Sequence, residues 1–138
     1  MSNSSLEIPQ RVKNYKGDIF KLLKKDNFQN QNIFESYISK VNFNKIKAWK
    51  YHKKISLNLI VVRGRVLFIT LENNKFNRYI LDDKKFKKLF VPNKVWYGFM
   101  GLEKKSSTIL SFANAYYSNS EILRKNIKDF SFDWSKYK

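Results

Sequence analysis

The sequence contains no cysteine, one histidine, two prolines and four glycines, and these scarcities close several chemistries at once. Without thiols there is neither a disulfide framework nor a thiolate metal site. One imidazole is too few for a site built on several histidines, so no metal and no other cofactor is expected. A glycine-rich phosphate loop and a Ser-His-Asp arrangement are also missing. The longest apolar run, Leu57 to Val62, is interrupted by Asn58 and falls far short of the roughly 20 residues that span a bilayer. The first residues lack the basic-then-apolar order of a secretory signal, so a cytoplasmic protein is expected.

Acidic residues are scarce as well: 11 stand against 28 lysines and arginines, a net charge of +17. Such an excess favours a polyanionic partner through counterion release. Most of it, however, is lysine spread over the whole length, and the densest runs are only Lys84-Lys85, Lys87-Lys88 and Lys104-Lys105. A nucleic-acid interface more often concentrates arginine and lysine on one element for phosphate and base contacts. Nucleic acid is therefore not the expected partner, and a non-catalytic polyanion-binding module stands as the alternative reading.

What is present is a β pattern. With 138 residues, 43% of them hydrophobic and 17% aromatic, the chain is long enough for one core, and a single domain over 1–138 is expected. Short apolar runs follow one another at spacings of about ten residues: Tyr37 to Phe43, Ile46 to Tyr51, Leu57 to Val62, Val66 to Leu71, Phe76 to Leu81, Phe86 to Val91, Tyr97 to Leu102 and Thr108 to Ala113. Turn residues separate them, as at Arg63-Gly64-Arg65, Glu72-Asn73-Asn74 and Pro92-Asn93-Lys94. This spacing predicts an all-β sandwich or barrel. Upstream, Ile8 to Phe20 reads as a strand entering a turn at Lys16-Gly17-Asp18, and Asn27 to Asn32 as a loop. Downstream, Ser120 to Lys128 is expected to form a short helix, and Phe130 to Trp134 a final segment laid against the barrel.

The single histidine sits in the most informative stretch, Lys47-Ala48-Trp49-Lys50-Tyr51-His52, which leads into the apolar run ending at Gly64. Period-two alternation puts Lys50 and His52 on one face of a strand. If that face is inward, two ionisable nitrogens enter a cavity; if outward, this is a surface histidine among lysines.

Several stretches together resemble the nucleotide-sugar branch of the cupins, the dTDP-4-dehydrorhamnose 3,5-epimerases and the 3,4-ketoisomerases acting on dTDP-4-keto-6-deoxyglucose. Val91-Pro92-Asn93-Lys94-Val95-Trp96-Tyr97-Gly98-Phe99-Met100-Gly101-Leu102 resembles I-P-P-G-F-A-H-G-F-x-x-L, and Asn114-Ala115-Tyr116-Tyr117-Ser118-Asn119 resembles T-D-Y-Y-x-P. Asn126 to Trp134 resembles the closing I-x-W-x-D-P-x-x-x-I-x-W, and Lys16-Gly17-Asp18-Ile19-Phe20 takes the place of R-G-x-F. The stretch from Lys47 is similar to the ketoisomerase pattern R-G-x-H-A-H-K-K, and His52 to Gly64 fits without a gap. The match covers most of the chain.

The resemblance implies an RmlC-like, cupin-like jelly-roll barrel with short terminal helical or extended segments, a homodimer, and a nucleoside-diphosphate sugar as ligand. It also implies an isomerase in sugar biosynthesis for surface polysaccharides such as lipopolysaccharide. Lys50 stands where the family has its histidine base, His52 at the second histidine, and Trp96-Tyr97 at Ala-His. Abstracting a proton next to a keto group needs a base near neutrality and a partner for the enolate, and a desolvated lysine can meet that need. The expected catalytic set is thus Lys50 as base, His52 as second proton-transfer group and Tyr97 as acid. The expected binding set is Lys16 and Lys47 toward the diphosphate, Tyr116 or Tyr117 against the base, and Asn58 and Trp96. In the alternative, Lys50 pairs with a carboxylate such as Asp129 and the barrel only binds a ligand or a partner.

Overall fold

The computed structural model describes residues 3–23 and 33–138. The described strands are β1 (Ser5–Glu7), β2 (Gln10–Val12), β3 (Ile19–Lys21), β4 (Glu35–Val41), β5 (Ile46–His52), β6 (Leu57–Arg63), β7 (Arg65–Glu72), β8 (Lys75–Asp82), β9 (Lys88–Val91), β10 (Trp96–Gly101), β11 (Ser107–Ala113) and β12 (Ile122–Arg124). Two five-stranded sheets, ordered β1-β9-β6-β11-β4 and β12-β5-β10-β7-β8, pack face to face, and β2 and β3 form a separate hairpin. The pairings are antiparallel. The expected loop at Asn27 to Asn32 lies outside the described residues. Among the described residues no helix is long and apolar enough to cross a membrane.

Alternation along the strands builds the core between the sheets. Leu57, Leu59 and Val61 of β6 face Val66 and Phe68 of β7 and Tyr97 and Phe99 of β10, with Leu89, Val91 and Ile109 filling the gaps. The β6–β7 connection is tight, and Gly64 takes φ of +92° where any side chain would also run into Ser107. The intervening residues of the second sheet are apolar too. Leu67, Ile69 and Met100 form a second core with Trp49, Phe132 and Trp134, so the C-terminal segment covers the outer face of this sheet as the Phe130 to Trp134 pattern predicted. A sheet buried on both faces requires near-continuous hydrophobic strands, and Val66 to Ile69 are accordingly all buried.

β5 breaks its own alternation. Tyr97 pairs with Lys50 but Gly98 with Ala48, leaving Trp49 as the extra residue of a bulge. Trp49 is 1% exposed in the outer core, packed in tilted and edge-on contacts against Phe76, Phe130 and Trp134, with its indole N–H donating to the Ile127 carbonyl at 3.2 Å. Gly98 makes the close approach possible, since a Cβ there would collide with Ala48. The bulge brings Lys47 onto the inner face with Lys50, although they are three residues apart.

All eight expected runs are strands, with ends shifted by one or two residues. The helix expected over Ser120 to Lys128 is not formed. Instead a 3-10 turn at Asn119–Glu121 leads into β12, and another follows at Ile127–Asp129. β12 pairs Ile122 with His52 and Arg124 with Lys50, which gives the backbone of the otherwise open β5 edge its hydrogen-bond partners. That gain exceeds what an isolated helix this short can offer.

Because the tail seals the outer core, Trp134→Ala, which empties a 4% exposed ring site between Trp49 and Phe132, is expected to cost about 3–5 kcal/mol. Urea unfolding checks it, and a loss below about 1 kcal/mol would mean the tail is a dispensable cover.

Candidate active site

His52 ends β5 with its ring 5% exposed, held from both nitrogens. Nδ1 lies 2.9 Å from Glu121 Oε2, and Nε2 lies 3.1 Å from the Tyr97 hydroxyl. The other Glu121 oxygen accepts from the backbone N–H groups of Lys54 and Ile55, both at 2.9 Å. Glu121 reaches this position because the 3-10 turn precedes β12, whose first residue pairs with His52. Tyr97 arrives from β10 as the cross-strand neighbour of Lys50.

These groups meet at a cavity of about 240 Å³ lined by Glu35, Tyr37, Lys50, His52, Tyr97, Tyr117 and Ile122. A deeper lobe of about 60 Å³ shares Tyr37, Lys50 and Tyr97, adds Lys47, Ser39 and Ser111, and is floored by Leu57, Leu59, Phe68, Phe99 and Ile109. Beyond Lys50 a groove of about 550 Å³ runs between β5 and the chain after β12, where Lys47, Lys50, Arg124 and Lys125 outnumber the one carboxylate, Asp129.

The surroundings tune the titratable groups. Burial, then the positive charge of Arg124, hold the Lys50 amine below its ordinary value, with Tyr117 pulling the other way and Lys47 adding the least. Tyr97 is strongly raised by burial, with Tyr37 and Glu121 adding to it, so the phenol stays protonated. Tyr37 is raised by burial and by Glu35, against a hydrogen bond with Ser111. For Glu121 burial pulls upward, but hydrogen bonds from His52, Lys54 and Ile55 outweigh it and keep the carboxyl ionised. Among the described residues, no group of three or more His, Cys, Asp or Glu side chains is placed to hold a metal.

The structure thus brings together Lys50, His52 and Tyr97, places Lys47 in the deeper lobe with its amine 2.6 Å from the Lys40 carbonyl, and sets Tyr117 at the mouth. The Tyr117 hydroxyl accepts from Arg124 at 3.0 Å. Four expected binding residues are elsewhere. Asn58 lies between Leu57 and Leu59, so alternation turns it to the opposite face of β6. Trp96 points to the outer face, against Tyr51 and Phe130 and beneath Lys125. Tyr116 is 71% exposed and rests on Phe34. Lys16 sits on the exposed β2–β3 turn over Tyr15 and does not line the cavity or the groove within a single chain. Nor does Asp129 serve Lys50 as a hydrogen-bond acceptor; it accepts from the Asn126 N–H instead.

Sequence reasoning missed Glu121, Tyr37 and Arg124. Tyr37 and Ser39 alternate on β4, a signal that was available. Glu121 and Arg124 gave none, because their stretch read as helix.

A jelly roll whose interior cavity is lined by a lysine, a histidine and tyrosines defines a cupin-like protein. The chain belongs to the family described as "FdtA: WxcM-like, C-terminal", whose model matches residues 2–132. Among solved structures it is similar to a dTDP sugar isomerase from Desulfovibrio desulfuricans G20, with 20% identity, TM-score 0.86, and coverage of 96% of this chain and 90% of that one. It is also similar to a sugar 3,4-ketoisomerase from Thermoanaerobacterium thermosaccharolyticum in complex with TDP, with 19% identity, TM-score 0.78, and coverage of 89% and 88%. A dTDP-4-dehydrorhamnose 3,5-epimerase from Elizabethkingia anophelis NUHP1 follows at 17% identity, TM-score 0.82, and coverage of 95% and 80%. At these identities the likeness establishes the RmlC-like jelly roll. No curated protein matches the sequence.

The lowered Lys50 amine has a chemical readout. At neutral pH more of it is neutral than of an exposed lysine, so limiting amounts of an amine-acylating reagent are expected to modify Lys50 ahead of the surface lysines, as seen by peptide mass spectrometry. Labelling at Lys50 no faster than at Lys104 and Lys105 would remove the perturbed amine from the site.

Proposed function

We propose that this chain is an isomerase or epimerase of dTDP-4-keto-6-deoxyhexose-type nucleotide sugars. The observation that carries the reading is the convergence of Lys50, His52 and Tyr97 on one cavity with an apolar floor, in a chain of this family and fold. The TDP complex of one structural neighbour supports a nucleotide sugar as the kind of ligand.

In this reading the sugar enters the cavity with its keto carbon between Lys50 and Tyr97. The neutral Lys50 amine takes the proton from the carbon next to the keto group, and that C–H electron pair becomes an enolate. The ammonium so formed lies beside the enolate in a site screened from water, where its charge counts for more than in solution. Tyr97, held protonated, supplies a proton to the enolate oxygen, with His52 as the second proton-transfer group. Return of a proton to carbon, on the other face or at the neighbouring position, gives the epimer or the isomeric ketone.

The diphosphate belongs in this scheme to the groove beyond Lys50, where Lys47 and Arg124 supply charge; a lysine gives a point charge and Arg124 a fork. Tyr117 offers an aromatic face to the base at the mouth. Pairing into a homodimer is part of the proposal, supported by exposed Phe34, Ile38 and Tyr116 along the β4 edge.

The test has two arms. dTDP at a hundred times its dissociation constant is expected to stabilise the fold by about 2.7 kcal/mol, read as a rise in melting temperature. On a dTDP-4-keto-6-deoxy sugar in deuterium oxide, wild-type protein is expected to wash deuterium into the carbon next to the keto group. Lys50→Ala should abolish that exchange while leaving dTDP affinity within a few-fold. An unchanged melting temperature sinks nucleotide binding; binding without exchange leaves a non-catalytic binding module.

A further inference from the structure

Glu121 does not itself line the cavity, yet its carboxylate is held at both oxygens and touches His52, which does. One oxygen is fixed by two backbone N–H donors and the other by His52 Nδ1. A carboxylate with no proton of its own can only accept. The imidazole must therefore present a proton on Nδ1, and in the neutral ring this leaves Nε2 as a bare lone pair. The group 3.1 Å from that lone pair is the Tyr97 hydroxyl, which donates to it. The order of the contacts sets the direction of every hydrogen bond along the line.

We propose that Glu121 is a positioning residue that fixes the Nδ1–H tautomer of His52, making Tyr97, His52 and Glu121 a single proton relay whose working end is the phenol oxygen of Tyr97. This rests on the function proposed above and assigns the protons on oxygen to the relay, while Lys50 handles the proton on carbon. When a ligand hydroxyl gives its proton to the Tyr97 oxygen, the Tyr97 O–H bond breaks and its proton passes to His52 Nε2. The resulting imidazolium is offset by the ionised Glu121. In the return step Nε2–H gives its proton back to the Tyr97 oxygen, and the phenolic proton goes to the keto oxygen of the ligand. The relay ends with the protons it began with, and no outside oxidant or reductant enters. Lys50 is the cross-strand neighbour of Tyr97, and once it has taken the proton from carbon its ammonium lies on the ligand side of the relay.

His52 is the chain's only histidine, so selective ¹⁵N labelling of histidine in the full chain gives one imidazole to read. At about pH 8, wild-type protein is expected to show its ring proton on Nδ1. In Glu121→Gln the amide oxygen stays with the Lys54 and Ile55 donors, which turns the amide N–H₂ toward His52 Nδ1 and should shift the ring proton to Nε2. Deuterium exchange should then fall about a hundredfold or more, with the dTDP-induced melting shift unchanged, the pattern of a wrong tautomer rather than a damaged fold. Tyr97→Phe should lose exchange yet keep the Nδ1–H ring. A wild-type ring protonated on Nε2, or a tautomer unmoved by Glu121→Gln, overturns the relay. If Glu121→Gln does not fold, the wild-type tautomer and the Tyr97→Phe ring decide the matter. Because the tautomer is read without substrate, the relay stands or falls separately from the choice of sugar.

Discussion

Everything that distinguishes this jelly roll turns on one residue too many in β5. Trp49 is pulled out of the strand's alternation into the outer core, where it contacts Phe76, Phe130 and Trp134. The burial of so large a ring is worth several kcal/mol on area alone, enough to hold the bulge open. The consequence is felt on the other face. Lys47, Lys50 and His52 all come inward, and a strand that regular pairing would give two inward groups gives three. The C-terminal segment is therefore not a mere cover: by clamping Trp49 it sets the register of the cavity wall.

The cavity is also a place where charges of opposite kind are kept apart by chain topology. Lys50 gains no compensation from Asp129, which accepts from the Asn126 N–H, and it has Arg124 beside it, so burial and repulsion both disfavour its charged form. Glu121, hydrogen-bonded to His52, is surrounded by donors and stays charged. Both groups are thus held toward their deprotonated forms, while burial keeps the Tyr97 phenol protonated. β12 is responsible for both, since it delivers Glu121 at one end of its pairing with β5 and Arg124 at the other.

Much of this could be read from the chain. The strands appear as alternating or continuous apolar runs because β residues obey a period of two, and the turn residues mark their ends. Lys50 and His52 face the same way for that reason alone, and Tyr97 came into view through the stretch that resembles the epimerase motif. The same rule, applied with care, excludes Asn58, since Leu57 and Leu59 on either side of it are core residues. Trp96 follows the same logic beside Tyr97.

The sequence by itself determined the strand set, the apolar faces, the shortage of metal ligands and the pairing of Lys50 with His52, because each depends on local spacing or composition. Tertiary structure alone decided that Lys47 joins them, that Glu121 stands behind His52, and that Ile122–Arg124, inside the stretch expected as helix, becomes strand. These depend on contacts between residues far apart in the chain. A bulge is settled by what its extruded side chain can pack against, and an edge strand by which segment is close enough to satisfy its backbone. Neither partner is visible in the local pattern: Trp49 is bulged because of Phe130 and Trp134, about eighty residues later, and Glu121 acts on a histidine 69 positions before it.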